Sequence, residues 1–264
     1  MIQLFESVKS AMERGENVVL CSILASSGSA PRGAGAKMAV FQNGQALGTI
    51  GGGAVERIAA RQAMGLFRTG ASYCQAFCLA PNQVNDIGMI CGGSVTVYFR
   101  FFDHENARDL ELVKTILELL ASGQDAWLVS RMEDGKITAM GTFDEAHGLR
   151  FAELDETMLR PWLTSSAVYR KGEPSYYVEP ISQAGRVYIF GGGHVGKALV
   201  PVLANVDFRV AVFDNRKDFA KPENYPAAEQ VIFGDYYHIE EKVHITERDY
   251  VTIMTPGHQA DREV

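Results

Sequence analysis

The chain has 264 residues, 47% of them hydrophobic and 22% charged, with a formal net charge of −7. That length and composition suit a globular protein of two domains. The acidic balance, with Lys and Arg scattered along the chain, argues against a nucleic-acid groove or an anionic membrane surface as partner, which leaves small molecules and other proteins.

Taken in chain order, the first twenty residues carry Glu6, Lys9, Glu13, Arg14 and Glu16 among apolar ones, and so lack the apolar core of a signal peptide. No apolar run approaches the ~20 residues that cross a bilayer, and the expected location is the cytoplasm. Ile2, Phe5, Val8 and Met12 recur at helical spacing ahead of Gly15, which predicts a helix over 2–14. "VVLCSILAS" follows as a strand, and "KMAVF" and "ALGTI" flank Asn43-Gly44 as a tight hairpin. The triple glycine Gly51-Gly52-Gly53 then opens a helix over "AVERIAARQAMGLF". Further on, "SVTVYFRFF" reads as a strand, "DLELVKTILELLASG" as a helix stopped at Gly123, "DAWLVSRM" and "KITAMGTF" as a hairpin turning at "EDGK", and "PSYYVEPI" as the close of the unit. Cys21, Cys74, Cys78 and Cys91 form no disulfide framework, and "CQAFC" lacks a matching pair for zinc, so reduced thiols are expected. Cys21, Cys74 and Cys78 read as core.

The short polar segment at 182–185 marks the domain boundary, giving units 1–181 and 186–264. Beyond it the pattern changes to a strand at 187–190, a helix from about 194 to 204, and the strands "FRVAVFD", "QVIFG" and "YVTIMT". Such alternation calls for a parallel sheet with helices on its faces. It halts at "PGHQADREV", inside the start of a helix, so the chain is expected to continue past Val264.

In "GGGHVG", Gly191, Gly193 and Gly196 stand at the spacing GxGxxG after a strand and at the mouth of a helix, with Gly192 and His194 between them. Asp214 ends the next strand, where a dinucleotide fold places the carboxylate that accepts a ribose hydroxyl, about 20 residues on. Glycines let the backbone approach a phosphate, and unpaired N–H groups with the helix dipole favour its charge. His258 and Asp261 lie at the carboxyl edge of the sheet, as contacts to a ligand or as a solvated loop.

"GTIGGGAVE" repeats this grammar, and Gly51–Gly53 read either as a second anion site flanked by Arg32 or Lys37, or as a tight turn. Cys91, ahead of a glycine pair, reads either as a soft ligand with a depressed pKa or as a buried structural thiol.

The run of "GSAPRGAGAKM", "GTIGGGAVE", "CGG", "EPI", "VYIFGGGHVGKAL", "VAVFDNR" and "MTPGHQAD" resembles the XdhC/CoxI family, accessory proteins of xanthine dehydrogenase and related molybdenum hydroxylases. The resemblance covers nearly the whole chain. It implies an α/β protein with an N-terminal XdhC/CoxI domain and a C-terminal Rossmann domain. It further implies a chaperone that turns over no hydroxylase substrate: it binds molybdenum cofactor (molybdopterin), guards it while a cysteine desulfurase route installs the terminal sulfur, and delivers it to an apo-hydroxylase. Self-association, as a homodimer, is implied as well. Two positions depart from the family pattern: Ala54 stands where cysteine is frequent, leaving Cys91 as the thiol for the cofactor's molybdenum, and Pro256 stands where histidine or arginine is common. Two other readings start from the fingerprint and Asp214: an NAD(P)-dependent oxidoreductase, and a non-catalytic module that senses a nucleotide.

Overall fold

A computed structural model describes the whole chain except residues 28–31, 79–92, 182–184, 207, 247–248, 259 and 263, with residues 27 and 258 described by backbone alone. The chain divides into two compact units, Met1–Ser182 and Gln183–Val264.

Among the described residues the first unit holds ten strands, β1 (Val18–Ser27), β2 (Lys37–Phe41), β3 (Ala46–Gly48), β4 (Tyr73–Cys78), β5 (Ser94–Phe102), β6 (Ala126–Glu133), β7 (Lys136–Asp144), β8 (Gly148–Arg150), β9 (Val168–Arg170) and β10 (Ser175–Pro180), with helices α1 (Ile2–Glu13), α2 (Gly53–Leu66), α3 (Ala107–Ser122) and α4 (Glu156–Leu159). Neighbouring strands pair in the order β3-β2-β1-β5-β4-β7-β6-β10-β9, with β8 on β7. β4 and β7 meet through one pair, Tyr73 with Lys136.

Strand β1 shows why both faces are apolar. Val18, Leu20 and Leu24 join the cluster under α1 and α3, while Val19, Cys21 and Ile23 join the one under α2. A two-residue period sends alternate side chains to opposite faces, so a strand covered on both sides reads as an unbroken apolar run.

The helix ends follow local chemistry. Beyond α1, the Gly15 N–H donates to Met12 O and the Glu16 N–H to Ala11 O, with Gly15 at φ +85°. This is the left-handed stop that glycine permits at least cost. Asn106 caps α3 by accepting from the Arg108 N–H, and Gly123 closes it. The Asp134-Gly135 turn has both residues at positive φ, as a two-residue hairpin requires. At Asn43-Gly44 only the glycine is left-handed, and the loop closes through Phe41 N–H to Gln45 O, a wider hairpin than expected.

The cysteines correct one expectation in degree. Cys21 is fully buried, but Cys74 and Cys78 are half-buried on β4. Burial pushes the Cys21 thiol far up and Cys74 up to about 11, so neither supplies a thiolate near neutral pH.

Among the described residues the second unit holds four parallel strands, β11 (Arg186–Phe190), β12 (Arg209–Asp214), β13 (Gln230–Phe233) and β14 (Tyr250–Ile253), in the order β13-β12-β11-β14, with α5 (His194–Asn205) after β11. This is the α/β pattern that the strand and helix alternation predicts. From the central β11 the sheet grows to β12 on one side and β14 on the other. The loops leaving the carboxyl ends of these three strands therefore flank the place where open α/β sheets hold ligands.

Candidate functional site

The turn from β11 into α5 gives each of its glycines a different reason. Gly191 sits at φ +117°, and a Cβ there would run into the carbonyl of Met254, the residue that follows β14. At Gly192 a Cβ would meet the hydroxyl of Tyr225, which donates to the Gly192 carbonyl. The helical residue Gly196 lies against the Gly191 carbonyl and Ile189, so its missing side chain lets α5 pack onto β11. Gly193, the N-cap of α5, faces open space with nothing within 4 Å of a Cβ and an extended backbone at φ −69°. Three glycines are thus needed by the protein itself, and the fourth leaves room for something else.

The turn is held from below. The Gly191 N–H donates to Phe213 O at 2.8 Å, and the Gly192 N–H to Asp214 Oδ2 at 2.7 Å. Asp214 is fully buried and accepts three further bonds from Arg216: its N–H and Nε on Oδ1 at 2.8 and 2.9 Å, and Nη2 on Oδ2 at 2.7 Å. Burial by itself raises this carboxyl; the Arg216 side chain, then the main-chain donors, outweigh it and hold it below the usual carboxylate range. The expected role of Asp214 as a free acceptor for a ribose hydroxyl is therefore corrected, because both oxygens already brace the glycine turn and Arg216. Arg216, whose guanidinium lies over the Phe219 ring at 3.7 Å, is half-exposed at the carboxyl edge of the sheet.

The N–H groups of the first turn of α5 have no intrahelical acceptor, and Gly193 stands at that end of the helix. His194 is exposed on that turn. The loop after β14 is fastened by Thr255, which is buried and donates its hydroxyl to Asp261 Oδ1. Asp261 thus serves the loop, while the side chain of His258 lies outside the described residues.

The second glycine turn is not an open anion cradle. Gly51, Gly52 and Gly53 all have positive φ, as a cradle would need, but Glu56 fills it from within. Its Oε2 accepts from Thr49 Oγ1 at 2.6 Å, from the Gly52 N–H at 2.9 Å and from the Ile50 N–H at 3.2 Å, and the Gly51 N–H turns to Thr49 Oγ1. The Ile50 and Gly52 donors are satisfied by the chain's own carboxylate, which also lies near the positive end of α2, and the Gly51 donor by Thr49. Glu56→Ala is expected to lower stability by about 2 kcal/mol in denaturant unfolding, since it orphans several donors.

Lys37, expected beside that turn, is buried elsewhere. Its Nζ lies 2.5 Å from Glu179 Oε2 and donates to Gly35 O at 3.1 Å, with 3% and 2% of the two side chains exposed. Arg32 is exposed. Cys91 lies outside the described residues, among which no group of three or more His, Cys, Asp or Glu is placed to hold a metal. Residue spacing did not announce Tyr225 or Glu179; for Glu56 a signal existed, an acid one turn into the helix behind the glycines.

The strand order and the turn define a two-unit α/β protein whose second unit is a Rossmann domain with a glycine-built opening at its ligand edge. Residues 11–77 match the model of the XdhC and CoxI family, and residues 187–264 that of the XdhC Rossmann domain. The chain belongs to the XdhC and CoxI family. It is 23% identical over 258 residues to a protein of Bacillus subtilis described as a probable subunit of xanthine dehydrogenase, covering 96% of this chain and 76% of that protein. It shares its fold, with a TM-score of 0.79 at 22% identity, with a crystal structure described as a xanthine dehydrogenase from Bacillus halodurans, over 99% of this chain and 76% of that one.

Proposed function

We propose that this chain is an accessory factor for a molybdenum hydroxylase of the xanthine dehydrogenase type, carrying molybdenum cofactor as cargo through sulfuration by a cysteine desulfurase and on to the apo-hydroxylase. The observation that carries the reading is the opening at Gly193, in a turn whose other glycines are each closed by a neighbour. The cofactor ends in a phosphate, or in many bacteria in a pyrophosphate-linked nucleotide. Main-chain donors at a helix start suit that end. A thiol suits the softer molybdenum end, and this assigns Cys91 to the metal, with Arg32, His194 and His258 as further contacts to the cargo. The carrier acts in the cytoplasm as a homodimer and performs no turnover of its own.

The test is expression in a host that makes the cofactor, followed by molybdenum and pterin analysis of the purified chain. Near-stoichiometric recovery of both supports the carrier, and their absence overturns it. Cys91→Ala is expected to weaken retention with the thermal unfolding profile unchanged; full retention removes Cys91 from the site. A nicotinamide-dependent oxidoreductase is less well served by this geometry, because Asp214 has no oxygen left over for a ribose. NADH titration followed by fluorescence is expected to show no saturable binding.

A further inference from the structure

Helix α2 carries unmatched charge on its outer face. It turns Ala54, Val55, Ala59, Ala63 and Leu66 to the core. Arg57, Arg61, Met64 and Arg68 are exposed, Met64 at 38%. Arg68 stands just past the helix, where its N–H donates to Gly65 O and carries the winding on. Spacings of four, three and four residues put these side chains within about 60° of one another around the axis, in a stripe about 17 Å long.

A helix face that serves only solvation neutralises its cations with acids one turn away. This one does not. Glu56, the one acid of α2, is turned back to Thr49 and to the N–H groups of Ile50 and Gly52. None of the three guanidinium groups has a hydrogen bond or an ion pair among the described residues. Arg57 and Arg61, a turn apart, repel each other. The stripe is therefore a local concentration of positive charge, without internal compensation, on a chain whose net charge is −7.

Composition decides the class of partner. The stripe uses arginine three times and lysine nowhere, with a methionine among them, and protein interfaces are enriched in arginine and methionine and depleted in lysine. The guanidinium fork also matches a carboxylate in geometry as well as charge. A nucleic acid or an anionic bilayer is an extended polyanion, and beyond three cations it would meet an acidic molecule that repels it. We infer that the outer face of α2 docks an acidic face of a second protein, one that sets carboxylates against Arg57, Arg61 and Arg68 and an apolar side chain against Met64. The inference is independent of the carrier reading.

The probe is a labelled helical peptide that reads the stripe in reverse, with glutamate at i, i+7 and i+11 and leucine at i+4, beside a twin with glutamine for glutamate. Anisotropy titration with the full chain at low salt is expected to show the glutamate peptide bound about tenfold more tightly, as three exposed ion pairs together allow. Added salt is expected to shrink that advantage. Reversing the stripe with Arg57→Glu, Arg61→Glu and Arg68→Glu together is expected to abolish the preference, and glutamine at the same three positions to do so with size and polarity kept. Thermal unfolding should stay at the parent's temperature in both, since these side chains have no polar partner to lose. Met64→Ser is expected to weaken both peptides alike. Equal binding of the two peptides, no binding of the glutamate peptide, or a preference that survives charge reversal overturns the inference. So does tighter binding of duplex DNA or of phosphatidylglycerol vesicles, lost in the reversed variant, which makes the stripe a polyanion surface. An oligomer of the parent that dissociates on reversal assigns the stripe to contact between copies and overturns it as well.

Discussion

Alanine at Gly193 is expected to leave the chain folded while weakening the anion binding proposed for that turn, whereas alanine at Gly191 is expected to unfold the second unit. The contrast follows from what a Cβ meets. At 193 it enters open space on an ordinary extended backbone, so stability should stay within about 1 kcal/mol of the parent and can rise slightly through a stiffer unfolded chain. Affinity for a phosphorylated ligand should fall about tenfold, the loss of one charge-assisted hydrogen bond of roughly 1.5 kcal/mol. At 191 the methyl group meets the Met254 carbonyl on a left-handed backbone. Strain of about 1–3 kcal/mol and overpacking of about 1–3 kcal/mol then add. Gly196→Ala lies between, since crowding against the Gly191 carbonyl is partly offset by about 1 kcal/mol of helix propensity. Denaturant unfolding of the three variants, with phosphate or nucleotide titration of those that fold, checks the series. Equal ligand affinity of Gly193→Ala and parent would remove the opening from the site.

Asp214→Asn is expected to destabilise the second unit by about 3 kcal/mol, although the side chain keeps its size. A neutral amide accepts weakly, and its NH2 end faces donors on whichever side it takes, the Gly192 N–H or the Arg216 fork. Arg216→Ala should cost less, since its guanidinium is half in water while Asp214 is wholly buried. The pH dependence has a definite sign. The folded carboxyl titrates below its unfolded value of about 4, so its contribution is complete above that pH and is lost as pH falls through the lowered folded value. Acid unfolding of the parent followed by tryptophan and tyrosine fluorescence should include this component, and the Asn variant should lack it. A variant with the parent's stability and acid profile would show that Asp214 does not brace the turn.

Periodicity made the second unit legible almost to the residue, because a parallel strand buried on both faces and a helix entered through glycine leave strong marks. The expected helix from about 194 to 204 is His194–Asn205, and the expected strands coincide with β11 to β14 within a residue or two. In the first unit β4 and the short elements β8, α4 and β9 were not anticipated. Tyr73–Cys78 carries no clear alternation of its own and becomes a strand by pairing with β5, Tyr73 against Phe99 through Cys78 against Ser94. The two triple glycines look alike in one dimension. One is emptied of function as an anion cradle by Glu56, four residues beyond Gly52, and the other keeps an opening because Asp214 approaches from β12 beneath it.

The sequence by itself determined the family, the two-unit α/β plan and the presence of a glycine turn at the mouth of a helix, since these depend on local backbone freedom and on the spacing of apolar residues. Tertiary structure alone decided which glycine stays open, that Asp214 supports the turn, and that Lys37 joins Glu179 across 142 positions of chain. Hydrogen-bond partners and burial arise from strands brought together in space, and no periodicity along one segment encodes what a distant segment will present to it.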